Sequence, residues 1–154
     1  MISIWKKVAL ASIALWFLTV GTLYYFFVVG TGTKVDQRTE IALTPQERDL
    51  ILGEMRQLLD SVRGIIQGVA ENDVEGIQTA ARASGLKMAQ DVNPSLMLKL
   101  PAAFKELGMN THQRFDKLAD KAPQLSSSEI LKETSDMMGS CVGCHVTYKI
   151  TESK

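Results

Sequence analysis

Both cysteines of this 154-residue chain, and one of its two histidines, stand together in Cys141-Val142-Gly143-Cys144-His145. The spacing C-x-x-C-H is that of c-type haem attachment. On a helix, residues three and four apart share a face. The thiols of Cys141 and Cys144 can therefore add to the two vinyl groups of one porphyrin, while the His145 imidazole reaches the iron from the same side. The covalent bonds keep the cofactor in place, and the proximal imidazole sets the electron density at the iron. Two other chemistries use such a cysteine pair. A thioredoxin-like redox pair needs a βαβ setting, and no β-rich alternation competes with the helical patterns. A closed zinc site needs four ligands, and the chain has no second half to supply them.

Helical periodicity shows what must hold this motif in place. Thr44-Pro45-Gln46-Glu47 supplies an N-cap, a proline at the first helical position and a glutamate at the third. Behind it Ile51, Met55, Leu58, Val62, Ile65 and Val69 form one apolar stripe that ends near Glu71. Asn72 with Glu75 reads as a second capping pair, followed by a lean stripe of Val74, Ile77, Ala81, Ser84 and Met88. Asp91 to Leu100, with Asn93-Pro94 inside it, reads as a connection. Pro101 opens a third helix whose face carries Phe104, Gly108, Thr111, Phe115 and Leu118, and Pro123 ends it. Ser126 and Glu129 cap the fourth, with Ile130, Thr134, Met137, Cys141, Cys144 and Tyr148 on its stripe. Four helices of about 18–26 residues with short connections predict an all-α fold, an antiparallel up-down-up-down four-helix bundle over residues 44–154.

Composition sets the surroundings. The chain is 45% apolar and 22% charged, with 17 basic and 17 acidic side chains. Zero net charge leaves no basic face for phosphates, which excludes nucleic acid as a partner. From Val8 to Val29 there is no charge at all, and at ~1.5 Å per residue such a helix covers the ~30 Å hydrocarbon core of a bilayer. Lys6 and Lys7 precede it, whereas Lys34 follows only after Gly30-Thr31-Gly32-Thr33. The positive-inside bias then leaves the N-terminus in the cytoplasm and exports the rest. Trp5, Tyr24 and Tyr25 suit the two interfaces. A cleaved signal sequence has a shorter apolar region, ~7–15 residues, ending at a small-x-small site; this one is longer and ends in Tyr-Tyr-Phe-Phe-Val-Val. The expected organisation is a transmembrane anchor over 1–33, a polar tether over 34–43 and the bundle from 44 onward. Setting aside Lys6 and Lys7, residues 34–154 hold 15 basic against 17 acidic groups, so the exported part is mildly acidic.

A C-x-x-C-H motif in the last helix of a four-helix bundle, followed by Tyr148-Lys149, resembles the class II cytochromes c, the cytochrome c′ family. The family pattern runs C-x-x-C-H-x-x-aromatic-basic near the carboxyl end, and the resemblance covers residues 44–150. It implies one covalent haem c packed where the first helix begins and the last one ends. Cys141 and Cys144 would be the attachment points, His145 the proximal ligand and Lys149 a basic neighbour. It also implies that two copies can pair through the first helix. Within this family the sixth iron position decides behaviour. High-spin members place an apolar side chain there and bind small gases. Low-spin members place a methionine there and carry electrons, because thioether plus imidazole raises the potential and closes the site.

Met55 is the candidate distal ligand. It lies on the buried stripe about eleven residues past Thr44, ~16 Å along the axis, and His145 is expected ~10 Å from the same end of the bundle. Its competing role is that of a core gap-filler, with Leu52, Leu58 or Leu59 as the apolar lid. Met88, Met109 and His112 lie at similar heights. His112 reads as a partly exposed side chain near a propionate, or as a second imidazole ligand giving a lower potential. Met137 and Met138 share the helix of His145, and Tyr148 packs against porphyrin or core.

The expected function is that of a membrane-anchored, periplasmic monohaem cytochrome c in the bacterial inner membrane. It would pass single electrons between membrane redox partners, as a tethered carrier or as a fixed subunit of a respiratory complex. The alternative is a five-coordinate, gas-binding protein with nitric oxide as ligand. A haem that only stabilises the bundle is a third reading. No acid/base cluster points to an enzyme.

Overall fold

The computed structural model describes residues 4–29, 36–90 and 93–153, with side chains at 26–29 left aside. The chain divides into two units, one ending at Gln37 and one running from Arg38 onward. The first contains α1 (Ile4–Val29). Its stretch from Ile4 to Tyr25 has a mean hydropathy of 1.7 and is long and apolar enough to cross a membrane. Leu10, Trp16, Phe17 and Leu18 are all exposed. Such a face in water carries a large free-energy cost that lipid removes. The Thr19 hydroxyl donates to the Leu15 carbonyl at 2.9 Å, which satisfies this polar group within the helix.

The second unit is mostly helical, but it opens and closes on strands. β1 (Thr39–Leu43) pairs in parallel with β2 (Tyr148–Glu152), Thr39 opposite Tyr148 and Leu43 opposite Glu152. The backbone N–H of Ser153 donates to the Leu43 carbonyl at 2.8 Å and extends the ladder. This corrects two expectations, the tether over 34–43 and the absence of strands. Residues 34 and 35 of that segment lie outside the described residues; 39–43 form a strand rather than a tether. Ile41 and Leu43 point to one face and are buried, with Thr39, Glu40 and Ala42 exposed. That is the two-residue period of a half-buried strand.

α2 (Pro45–Glu71) starts as expected. The Thr44 hydroxyl accepts from the Glu47 N–H at 3.3 Å, and the Glu47 carboxylate accepts from the Thr44 N–H at 2.9 Å. α2 ends at Asn72, whose φ of 56° is left-handed, so the residue expected to cap the next helix instead terminates this one. Asparagine tolerates that conformation. Asp73 caps α3 (Val74–Arg82), accepting from the Gly76 N–H at 2.9 Å. α3 has 9 residues, and a 3₁₀ turn follows over Leu86–Ala89. The expected second long helix is thus in two pieces. Its break lies at Ser84-Gly85, where a Cβ on Gly85 would run into the Asp116 carboxylate. α2 and α3 approach closely elsewhere: a Cβ on Gly68 would stand 2.6 Å from Cγ1 of Ile77.

The expected connection over 91–100 contains a short helix, α4 (Pro94–Lys99), capped by Asn93; residues 91 and 92 are outside the described set. α5 (Ala102–Lys121) follows Pro101. α6 (Ser127–Thr147) begins at a capping box of Ser126 and Glu129. It ends two residues past His145, earlier than the periodicity implied, because Tyr148 turns extended to begin β2.

α2 packs against α3 and α6, and α5 packs against the same two. Their apolar side chains form two separate clusters. One joins Val62, Ile65, Ile77, Phe115, Leu118, Ile130 and Met137. The other joins Ile41, Leu43, Ile51, Leu96 and Leu100, with Met55, Phe104, Tyr148 and Ile150 against it.

Candidate functional site

α6 is buried only in its first half, at Ile130, Thr134 and Met137. Farther along, Cys141 and Cys144 are half-buried and His145 is exposed. The helical register places the two cysteines one turn apart, and both are free thiols. Burial pushes both thiols up, and Cys141 pushes Cys144 further in the same direction. A redox-active pair needs the opposite shift, since the thiolate is the nucleophile. These remain thiols at neutral pH, the form that adds across a vinyl group. Among the described residues no three His, Cys, Asp or Glu side chains converge to hold a bare metal ion.

The cysteines face a crevice made by α2, α5 and α6. It consists of three hollows of about 110, 230 and 390 Å³ that share walls. Met55 and His145 line all three, and each cysteine lines two. The hollows lie between the two apolar clusters. Val62, Phe115 and Met137 of one cluster form a wall of the largest, while Phe104, Tyr148 and Ile150 border the middle one. Tyr148 meets Phe104 edge-on with ring centroids 5.4 Å apart. Cofactor sites fall at ~300–1,000 Å³ and are mostly apolar with a few convergent polar groups. The largest of the three, at about 390 Å³, is within that range, and the lining of all three carries apolar side chains with a few polar groups.

The structure thus brings Cys141, Cys144, His145 and Met55 together. Leu58 and Leu52 each line two hollows, while Leu59 lines only the largest and is largely exposed. Met109 is exposed, and neither it nor Met88 lines the crevice. Met137 and Met138 line the largest hollow from the helix of His145. His112 differs from its expected partial exposure. It is buried, because Nδ1 is bound at 2.8 Å to the carbonyl of Ser84 in the break after α3.

Three cationic side chains line the 230 Å³ hollow: Arg38, Arg48 and Lys149. Arg38 Nη1 donates to the carbonyl of His145 at 3.2 Å, and Lys149 pairs with Glu40 across the strands at 2.7 Å. Lys149 was legible beside the motif. Arg48 lies two turns before Met55 on the same face of α2, a spacing that could have revealed it. Arg38 had no such signal, since only β1 carries it to the motif. Glu54 is a further residue not singled out. It lines the smallest hollow, where burial pushes its carboxyl up and the nearby His112 pulls it the other way.

Compared with family models, characterised proteins and solved structures, the chain has no match.

Proposed function

We propose that this chain is a membrane-anchored monohaem c-type cytochrome that passes single electrons between redox partners at the membrane. One observation carries the reading. The apolar interior is divided into two clusters, and the crevice between them is walled by both cysteines of a C-x-x-C-H motif, by His145 and by Met55. A haem bound there supplies one-electron iron chemistry. Cys141 and Cys144 would hold it through thioethers, and His145 would ligate its iron. Met55, on the facing helix, is the proposed sixth ligand. Phe104, Phe115 and Leu58 exclude water, while Arg38, Arg48 and Lys149 offer positive charge to the haem carboxylates.

The same reading takes the helices as an antiparallel up-down-up-down bundle of the class II type. α2, α3 with its 3₁₀ extension, α5 and α6 are its four members. Lys6 and Lys7 in the first turn of α1, ahead of its uncharged stretch, support a cytoplasmic N-terminus and a periplasmic haem domain. Anchoring keeps the domain at the membrane, which raises its effective concentration for partners there.

The test is an absorption spectrum of the full chain produced with c-type haem attachment in place. Pigment that survives acid-acetone extraction is expected. A low-spin ferric spectrum, and a ferrous form that does not bind carbon monoxide, support electron transfer. A high-spin ferric form with ready carbon monoxide binding selects the gas-binding alternative. Colourless protein overturns both.

A further inference from the structure

We propose that His112 is a second protein ligand for the same iron, so that the sixth position is contested between the Met55 thioether and the His112 imidazole. The inference rests on the haem reading above, but its grounds are separate. Nδ1 of His112 lies 2.8 Å from the Ser84 carbonyl oxygen. A carbonyl only accepts, so Nδ1 carries a proton, and in the neutral ring this leaves the Nε2 lone pair as the one free to bind a metal. That is the ring's one hydrogen bond among the described residues. Every fully buried side-chain nitrogen or oxygen among them has a partner, so an Nε2 without one opens to accessible space. The cavity that His112 lines is the 110 Å³ hollow shared with Met55, Cys141, Cys144 and His145.

The tautomer is held from behind. The Ser84 hydroxyl is 2.7 Å from that of Ser61, both side chains buried. The Asp116 carboxylate accepts from the Leu86 N–H at 2.9 Å and fixes the same turn. A ligating histidine is oriented in this way, with its second nitrogen donating to a carbonyl. Coordination through Nε2 donates its lone pair to the iron and moves no proton, since Nδ1–H stays on Ser84.

The test compares the intact haem-loaded chain with Met55→Leu and with Met55→Leu/His112→Ala. With Met55→Leu, the ferric spectrum should remain low-spin, carbon monoxide should still be excluded, and the reduction potential should fall, because imidazole replaces thioether. Electron paramagnetic resonance of this variant should report two nitrogen axial ligands. The double variant should turn high-spin and bind carbon monoxide. His112→Phe, which fills the buried site, replaces the alanine if that variant does not fold. A Met55→Leu protein that is high-spin with His112 intact overturns the proposal while leaving the covalent haem standing. So does a double variant that stays low-spin. Wild-type chain without covalently attached haem overturns the parent reading, and this one with it.

Discussion

Cationic side chains lining the crevice bear on the electron affinity of whatever it holds. Reduction adds a negative charge, so a positive group nearby favours the reduced form. Arg48 is the least committed of the three. Its ion pairs to Asp49 and Glu152 are long, 3.5 and 3.7 Å, and both partners are exposed. Arg48→Gln should lower the reduction potential by about 40 mV, the one-electron equivalent of about 1 kcal/mol of screened Coulomb energy. Redox titration at low and moderate salt checks this, and the shift should shrink with salt if Arg48 acts through its charge. Residues of this kind divide by how far their meaning travels along the chain. The C-x-x-C-H motif of Cys141, Cys144 and His145 was legible because it is contained in five consecutive positions. The burial of His112 was not, because it is set by Ser84, 28 positions away.

Among the elements, the long helices were readable from their ends. Thr44 with Glu47 and Ser126 with Glu129 both form reciprocal caps where the residues announced them. Thr44→Ala should cost about 1 kcal/mol, read as a lower urea midpoint. The cap also has a pH signature. The Lys99 ammonium, 2.7 Å from Glu47, and the Thr44 N–H hold the Glu47 carboxyl below its ordinary 4.5. A lowered value in the fold means stability that is present above the ordinary carboxylate range. That stability is lost as pH falls through the folded-state value. Glu47→Gln should flatten this acid limb in denaturation midpoints measured between pH 6 and 3. The strands were harder to read. Each spans 5 residues with polar side chains interleaved, and each is stabilised by the other rather than by its own sequence. The broken second helix failed for a similar reason. Its periodicity runs on through Ser84, but the polar contacts of Ser84 with Ser61 and His112 favour a turn there.

For the whole molecule, the division at Gln37 makes a clear prediction about truncation. A chain starting at Arg38 should keep the fold of the second unit and, under the proposed function, covalent haem, while losing the one helix apolar enough to cross a membrane. One starting at Thr44 loses Ile41 and Leu43, which are 3% and 0% exposed. It should be less stable by about 4 kcal/mol or more, with Tyr148 and Ile150 uncovered. Circular dichroism melts of the two pigmented proteins separate these outcomes. What was legible at this scale was the mostly helical character of the second unit and the apolar segment before it. The pairing of the strands was not, since it depends on the two ends of the second unit meeting.

That meeting has a kinetic consequence. Arg38 and His145, joined by a hydrogen bond, are 107 positions apart. Contacts so distant in sequence demand loop closure before they reward it, and they form late. During synthesis β1 leaves the ribosome more than a hundred residues ahead of β2 and waits without a partner until Tyr148–Glu152 has emerged. The nascent chain therefore displays its two thiols on a helix whose far end is still loose, and the final strand pairing fastens that end afterwards.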